Sequence, residues 1–97
     1  MTDALDDRSI VCASRRLRSS RSAGEIALLE PESGTYFTLS GSGAFIWERI
    51  QEPTPIATVK AAVVARFDVS AAECHEQLVT FIRQLSEKNL VDVTPRA

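Results

Sequence analysis

Residues 34–47 read GTYFTLSGSGAFIW, a short aromatic strand that runs almost without a loop into an aromatic helix. Within this stretch Phe37 and Leu39 alternate with Tyr36 and Thr38, the period-2 pattern of a strand with one covered face. A strand so placed is expected to form the edge of a very small sheet, where backbone N–H and C=O groups are unpaired. Because another chain can pair with those groups, the stretch is predicted to accept a peptide as an added strand.

Size and composition limit what the chain can do. Its 97 residues fit one domain, and the core of such a domain leaves little room for a deep active site. The formal net charge of −2 gives no overall attraction to nucleic acid or anionic membranes. Cys12 and Cys74 are far apart and do not have metal-ligand spacing. With no signal peptide and no apolar run of about 20 residues, the chain is expected to be soluble and cytoplasmic.

Three strands are predicted ahead of the helices. The first is Ser9–Ala13, the second is Glu25–Glu30 and the third is Thr35–Leu39. The arginine-rich segment Arg15–Arg21 is interpreted as a polar hairpin connection or the solvated end of a strand. Proline comes early and glycine last in the turn Pro31–Gly34, which is typical turn chemistry. Joined by short turns, the three strands are predicted to form an antiparallel meander.

Three helices follow, each with a predicted start. Ser40 is the expected N-cap of the first. Thr54 is the expected N-cap of the second, with Pro55 at its first position. Ser70 and Glu73 have the spacing of a capping box at the start of the third.

The order of elements predicts one α+β domain, a three-stranded antiparallel sheet followed by three helices with winged-helix-like proportions. Residues 1–8 are predicted to be a disordered N-terminus, and residues 9–94 a single domain. The apolar run 90–93 is interpreted either as a short last strand or as a tail laid on the core.

The third helix is predicted to form the far wall of a groove beside the edge strand. Its core face carries Leu78 and Ile82, and a flanking stripe carries four further residues. The candidate peptide-binding residues are Tyr36, Phe37, Thr38, Leu39, His75, Leu78, Val79, Ile82, Arg83 and Ser86. In this hypothesis Val79 offers apolar contact, and Arg83 pairs with an acidic residue of the guest. The alternatives are an ordinary solvated helix side for the stripe and ordinary core roles for Phe37 and Leu39.

No catalytic residue, metal site or cofactor is predicted, and the chain is not expected to be an enzyme. His75 is the only histidine. Its neighbour Cys74 points about 100° away on a helix, so the two cannot converge on one ion or one proton. Structural zinc also needs four ligands. The run Gly41–Gly43 lacks the lysine and the preceding parallel strand of a phosphate-binding loop.

The charged residues of segment 15–21 and of the third helix allow other kinds of binding partner to be considered. The arginine-rich segment is interpreted as a solvated hairpin tip, as a phosphate-binding surface, or as a docking site for an acidic protein. Winged-helix proportions make a DNA-binding regulator the main alternative function. However, the outward side of the third helix offers Glu73, Glu76 and Glu87 against Arg83 and Lys88, a poor charge balance for a duplex. A nucleic acid is therefore not the expected partner.

Six short runs of the sequence match a known family pattern when they are taken in order. The runs are Gly34–Ser40, Gly43–Glu48, Pro55–Val59, Phe67–Val69, Phe81–Leu85 and Asn89–Val91. Together they resemble the PqqD family over about residues 10–93, and their order and spacing carry the likeness more than any single run. Ser40 stands where the family often has asparagine, and both residues cap helices.

The resemblance implies a function as well as a fold. Members of this family recognise ribosomally made, post-translationally modified peptides, and the precursor's leader adds as a strand to the third β-strand and packs against the third helix. Residues 36–39 and the outer side of residues 73–86 hold those positions here. A stand-alone member is implied to be a non-catalytic chaperone that delivers the precursor to modifying enzymes. These are a leader protease and then a cyclase in lasso-peptide pathways, which we favour, or a radical enzyme in quinone-cofactor pathways.

Overall fold

The structure is a computed structural model that describes residue 5 and residues 7–94. Its elements, in chain order, are β1 (Ile10–Ala13), β2 (Arg18–Ser22), β3 (Glu25–Glu30), β4 (Thr35–Ser40), α1 (Ser42–Arg49), β5 (Thr54–Pro55), α2 (Ile56–Arg66), α3 (Ala71–Glu87) and β6 (Val91–Thr94). Within the described ranges, no helix combines the length and the apolar character that crossing a membrane requires.

The strands form two antiparallel sheets of three strands each. One sheet has the order β5-β1-β6, and the other, which we call the meander sheet, has the order β2-β3-β4. The predicted α+β fold, with a three-stranded antiparallel sheet and three helices, is confirmed. In the meander sheet β3 is central, so β4 pairs with β3 on one side only.

The predicted membership of the meander is wrong at its first strand. The strand at Ser9–Ala13 exists as β1, but it lies in the other sheet, where Val11 pairs with Thr54 on one side and with Val93 on the other. The arginine-rich segment instead supplies β2. A polar sequence is tolerated there because all five residues of β2 are exposed. The apolar run 90–93 proves to be strand rather than tail, because β6 pairs with β1.

One core connects both sheets and all three helices. Leu28 of the meander sheet, Ile50 after α1, Ile56 of α2, Ile82 of α3 and Leu90 before β6 are each at most 1% exposed. Burial of one such side chain contributes about 1.5–3 kcal/mol. The inner face of the meander sheet is therefore held rigidly against the helices, and β4 is supported from behind.

Two of the three predicted helix starts are displaced by one residue. Gly41 is the N-cap of α1, without a side-chain cap bond, because Ser40 is still the last residue of β4. Thr54 lies in β5, and its hydroxyl donates to backbone carbonyls of the preceding residues instead of capping α2. Ser70 caps α3 as predicted, since its hydroxyl oxygen accepts the Glu73 N–H at 3.1 Å.

Gly41 joins β4 to α1 in a conformation that other residues adopt only with strain, with φ 58° and ψ −131°. A residue with a side chain costs about 1–3 kcal/mol in such a region. We expect Gly41→Ala to lower the free energy of unfolding by about that amount, and Ser42→Ala, one residue later, to change it by less than about 0.5 kcal/mol. Urea unfolding followed by Trp47 fluorescence measures the free energy of unfolding of both variants. Equal effects would contradict the conclusion that the positive φ at position 41 requires glycine.

The N-terminal segment is attached to α2. The Ala57 N–H donates to the Asp7 carbonyl at 3.0 Å, and Lys60 Nζ donates to the Asp7 carboxylate at 2.7 Å. Leu5 packs against the core. The predicted disorder of residues 1–8 falls largely outside the described residues and stays a prediction there, but the ordered contacts begin before residue 9.

Candidate functional site

The turn between β2 and β3 fixes the hydrogen-bond register of the meander sheet. Its two residues, Ala23 and Gly24, have φ values of 52° and 81°, the positive values of a type I′ hairpin turn. In such a hairpin the flanking pair, here Ser22 and Glu25, exchanges both backbone hydrogen bonds. Bonding then alternates along the ladder, so the even-numbered residues of β3 direct their N–H and C=O groups toward β4.

This register determines which backbone groups of β4 are free to pair. The even-numbered residues of β3 lie opposite Thr35, Phe37 and Leu39, which therefore bond to β3. The intervening Tyr36 and Thr38 direct their N–H and C=O groups away from the sheet. No strand in the part of the chain that the structure describes pairs with that side of β4. Tyr36 and Thr38 thus form an open edge with alternating donors and acceptors.

The side chains of β4 point as the alternation predicts. Phe37 and Leu39 are partly buried and pack against the core. Tyr36 is 70% exposed, and Thr38 is exposed as well. The edge is consequently supported by core packing on the inner face, while the Tyr36 ring stands on the solvent face.

A groove of about 530 Å³ lies between β4 and α3. Side chains from α1 and from the end of α2 close its remaining sides. The strand contributes Thr38, Leu39 and Ser40, and the helix contributes Cys74, Gln77, Leu78 and Phe81. None of the described residues that line this groove is charged, and most of them are apolar. A strand added to β4 would therefore direct alternate side chains into an uncharged, largely apolar groove.

Phe81 approaches α1 closely because Gly43 has no side chain. A Cβ atom at position 43 would lie 3.4 Å from Cζ of Phe81 and 4.0 Å from Cβ of Leu39. The Phe81 ring therefore packs over the backbone of the first turn of α1. In this position it forms the wall of the groove that faces β4.

Comparisons with known proteins agree with this geometry. Residues 25–91 match the family model of coenzyme PQQ synthesis protein D, PqqD. The chain belongs to the PqqD family. The match runs from β3 to the first residue of β6, so it includes both the open edge and the groove. The resemblance found in the sequence is thereby confirmed.

A solved structure is similar to this PqqD-family chain. It is described as "TbiB1 in Complex with the TbiA(beta) Leader Peptide". The two chains are 28% identical with a TM-score of 0.79, and the alignment covers 84% of this chain and 94% of TbiB1. No curated protein sequence matches the chain significantly.

The α3 residues that were predicted to form the groove wall lie on the other flank of the helix, and their contact with a peptide stays a prediction. The residues placed on the groove wall from the sequence were His75, Val79, Arg83 and Ser86, and none of them lines the groove. Successive residues of a helix are about 100° apart, which puts Gln77 and Phe81 on one side of the core face and His75 and Val79 on the other. Helical periodicity identifies the core face, but it does not determine which flank meets the sheet.

The two core-face residues predicted to touch a guest differ in their positions. Leu78 is 2% exposed and lies at the floor of the groove. Ile82 is completely buried in the core and does not line the groove, so its contact with a guest stays a prediction. Gln77 and Phe81 are the groove residues that the sequence pattern did not indicate, because Phe81 reads as another member of the core stripe and Gln77 as a solvated polar residue.

His75 lies on the far side of α3 from the groove. Its Nδ1 lies 3.7 Å from Oδ1 of Asp7, in a surface cleft shared with Arg8 and Lys60. The hydrogen bond from Lys60 lowers the pKa of Asp7. Cys74 lies at the groove floor, and burial raises the pKa of its thiol, which favours the unreactive protonated form. Among residues that the structure describes, no group of three or more His, Cys, Asp or Glu could hold a metal ion.

Glu30 stabilises the turn that leads into β4. Its carboxylate accepts the backbone N–H of Ser33 at 2.8 Å and the Ser33 hydroxyl at 2.9 Å, and it pairs with Arg16 at 3.0 Å. These interactions, the Ser33 backbone bond first, lower the pKa of Glu30 below its ordinary value of 4.5.

The charge of Glu30 should make this turn sensitive to acid. Because the folded-state pKa is the lower one, the stabilisation is complete above pH 4.5 and is lost as the pH falls through the folded-state pKa. We expect Glu30→Gln to lower the free energy of unfolding near neutral pH and to have a smaller effect at a pH below the folded-state pKa of Glu30. Urea unfolding at both pH values measures this. Glu32→Gln, a neighbouring exposed carboxylate, is the matched control, and an equal effect from it would contradict the prediction.

Proposed function

We propose that this PqqD-family protein binds the leader segment of a ribosomally made precursor peptide as an added strand on β4, and that it does not itself catalyse a reaction. The open edge at Tyr36 and Thr38, beside an uncharged groove, is the observation that carries the proposal. The similar TbiB1 chain, solved in complex with a leader peptide, supports it.

The free energy of leader binding is expected to come partly from the strand edge and partly from the groove. Tyr36 and Thr38 offer about four backbone hydrogen bonds, each contributing about 0.5–1.5 kcal/mol net. Micromolar binding requires about 8 kcal/mol, and a disordered guest also loses entropy when it orders. Apolar side chains in the groove must supply the difference, at about 1.5–3 kcal/mol for each one fully buried. The guest is therefore expected to carry apolar residues at alternate positions of the strand that binds.

The proposed role is that of a chaperone that holds the precursor near its modifying enzymes and raises its effective concentration there. We favour a lasso-peptide pathway, in which a leader protease and then a cyclase act on the precursor. The genes beside the one for this chain test the pathway class. A short precursor reading frame next to protease and cyclase genes would support it, and a radical-enzyme gene in their place would overturn it.

The affinities of the chain for a leader peptide and for a DNA duplex test the proposal itself. The probe is the N-terminal leader segment of the precursor encoded beside the chain's gene, compared with a random DNA duplex by fluorescence anisotropy at increasing salt. We expect the leader to bind with weak salt dependence and the duplex to bind poorly, because Glu73, Glu76 and Glu87 of α3 are exposed. Tight, steeply salt-dependent duplex binding without leader binding would instead establish a DNA-binding regulator.

A further inference from the structure

The meander sheet has a second open edge, formed by β2. Within residues 7–94, β2 pairs only with β3, and all of its residues are exposed. In the register set by the type I′ turn, Arg18, Ser20 and Ser22 bond to β3. The intervening Ser19 and Arg21 therefore direct their N–H and C=O groups outward, as Tyr36 and Thr38 do on the opposite edge.

Arginines dominate this second edge. The segment 15–21 contains Arg15, Arg16, Arg18 and Arg21 and no acidic residue, in a chain of net charge −2. Two of these arginines form ion pairs with glutamates of β3 and α1. Arg15 and Arg18 are exposed, and none of the ion pairs found among the described residues involves them. Two exposed guanidinium groups, at the end of the open edge where β2 begins, therefore have no ion-pair partner among the described residues.

We propose that the β2 edge is a docking site for an extended, acidic segment of a partner protein. A polypeptide can use the outward N–H and C=O groups of Ser19 and Arg21, whereas a phosphate backbone cannot satisfy that alternation of donors and acceptors. Guanidinium forks match carboxylates in a bidentate geometry. A second copy of this chain is disfavoured as the occupant, because pairing β2 with β2 would bring two arginine clusters together.

The space beside β2 suits the same occupant. A polar cleft of about 630 Å³ lies between the strand and the end of α1, lined in part by Arg21, Glu48, Arg49 and Gln51. A strand added to β2 would direct alternate side chains toward this cleft. A carboxylate there can pair with Arg21 in place of Glu48. Because Arg18 and Arg21 lie on opposite faces of β2, acidic residues at alternate positions of the partner segment meet one of the two arginines, according to the face that they occupy.

Together with the proposed leader site, this edge would make the sheet an adaptor. A guest on β4 and a partner segment on β2 would be separated by four strand spacings, about 19 Å. This consequence rests on the proposed function, but binding at β2 does not. The two sites lie on opposite edges, so each can be tested while the other is intact.

The test uses a fluorescein-labelled decapeptide of alternating Glu and Thr, compared with its Gln-Thr counterpart by anisotropy at low ionic strength. We expect the Glu-Thr peptide to bind at least about tenfold more tightly. The double substitution Arg15→Glu/Arg18→Glu should weaken its binding at least about tenfold, and Arg15→Lys/Arg18→Lys, which keeps the charge, should weaken it less. Ser19→Pro should weaken it about threefold or more by removing an outward N–H. None of these variants should change leader affinity.

Two results would overturn the proposal. Equal affinities for the Glu-Thr and Gln-Thr peptides would show that the β2 edge does not select an acidic segment. Binding of a single-stranded RNA as tight as that of the Glu-Thr peptide, with Ser19→Pro harmless to both, would show a charged patch and not a strand edge. If Ser19→Pro does not fold, amide hydrogen exchange of the unmodified chain decides the question. The Ser19 and Arg21 amides must then become protected when the Glu-Thr peptide binds.

Discussion

Thr38→Pro is expected to lower leader affinity by at least about tenfold while the domain stays folded. Proline removes the outward N–H of β4, and its ring occupies the line along which a guest strand must lie. One lost backbone hydrogen bond costs about 0.5–1.5 kcal/mol. Displacement of the guest strand by the proline ring also weakens the adjacent hydrogen bonds between the guest and β4. The fold tolerates the change because the Thr38 N–H does not bond to β3. Isothermal titration calorimetry with the leader segment gives the affinity.

Two matched variants separate loss of the edge from loss of the fold. Thr38→Val keeps the N–H and a β-branched side chain, so it should bind within about twofold of the unmodified chain. Ser19→Pro places proline at the equivalent outward position of the β2 edge and should leave leader binding unchanged. A folded Thr38→Pro variant that binds normally, or a Ser19→Pro variant that loses as much affinity, would contradict strand addition at β4.

Phe81→Ala is expected to weaken leader binding about tenfold or more, because it removes the groove wall that faces β4 and the apolar surface a guest side chain would bury. Val79→Ala, on the opposite flank of α3, should change leader affinity by less than about twofold. Titration calorimetry of both variants under the same conditions compares the two flanks directly.

Stability must be followed in parallel, since the Phe81 ring also packs over Gly43. Phe81→Leu keeps part of the apolar wall and should have an intermediate affinity. Thermal unfolding shows whether each variant is fully folded at the temperature of the binding measurement. Equal losses of leader affinity from Val79→Ala and Phe81→Ala would contradict the proposal that the leader binds in the groove lined by Phe81. They would support the flank of α3 that was predicted from the sequence.

Local patterns in the sequence predicted local features correctly. The alternation of Phe37 and Leu39 with Tyr36 and Thr38 predicted their faces, because the period of a strand depends only on neighbouring residues. The Ser70 cap of α3 was likewise visible, since its partner lies three residues away. An edge strand followed at once by a helix could be proposed from residues 34–47 alone.

Features that depend on distant contacts could not be read in the same way. The sheet containing β1 is completed by β5 and β6, whose residues lie about 40 and 80 positions further along the chain. Strand β2 was obscured because Arg and Ser are unusual in strands and its burial does not alternate. The flank of α3 that meets β4 is set by how the helix crosses the sheet, and helical periodicity alone does not distinguish the flank with His75 and Val79 from the flank with Gln77 and Phe81.

The central claim is that a leader pairs with the outward backbone groups of β4, and residue-resolved amide hydrogen exchange with and without saturating leader tests it most directly. The account predicts that the Tyr36 and Thr38 amides, which bond to no other described strand, become strongly protected when the leader binds, while the Ser19 and Arg21 amides do not change. Unprotected Tyr36 and Thr38 amides in a fully saturated complex would contradict it.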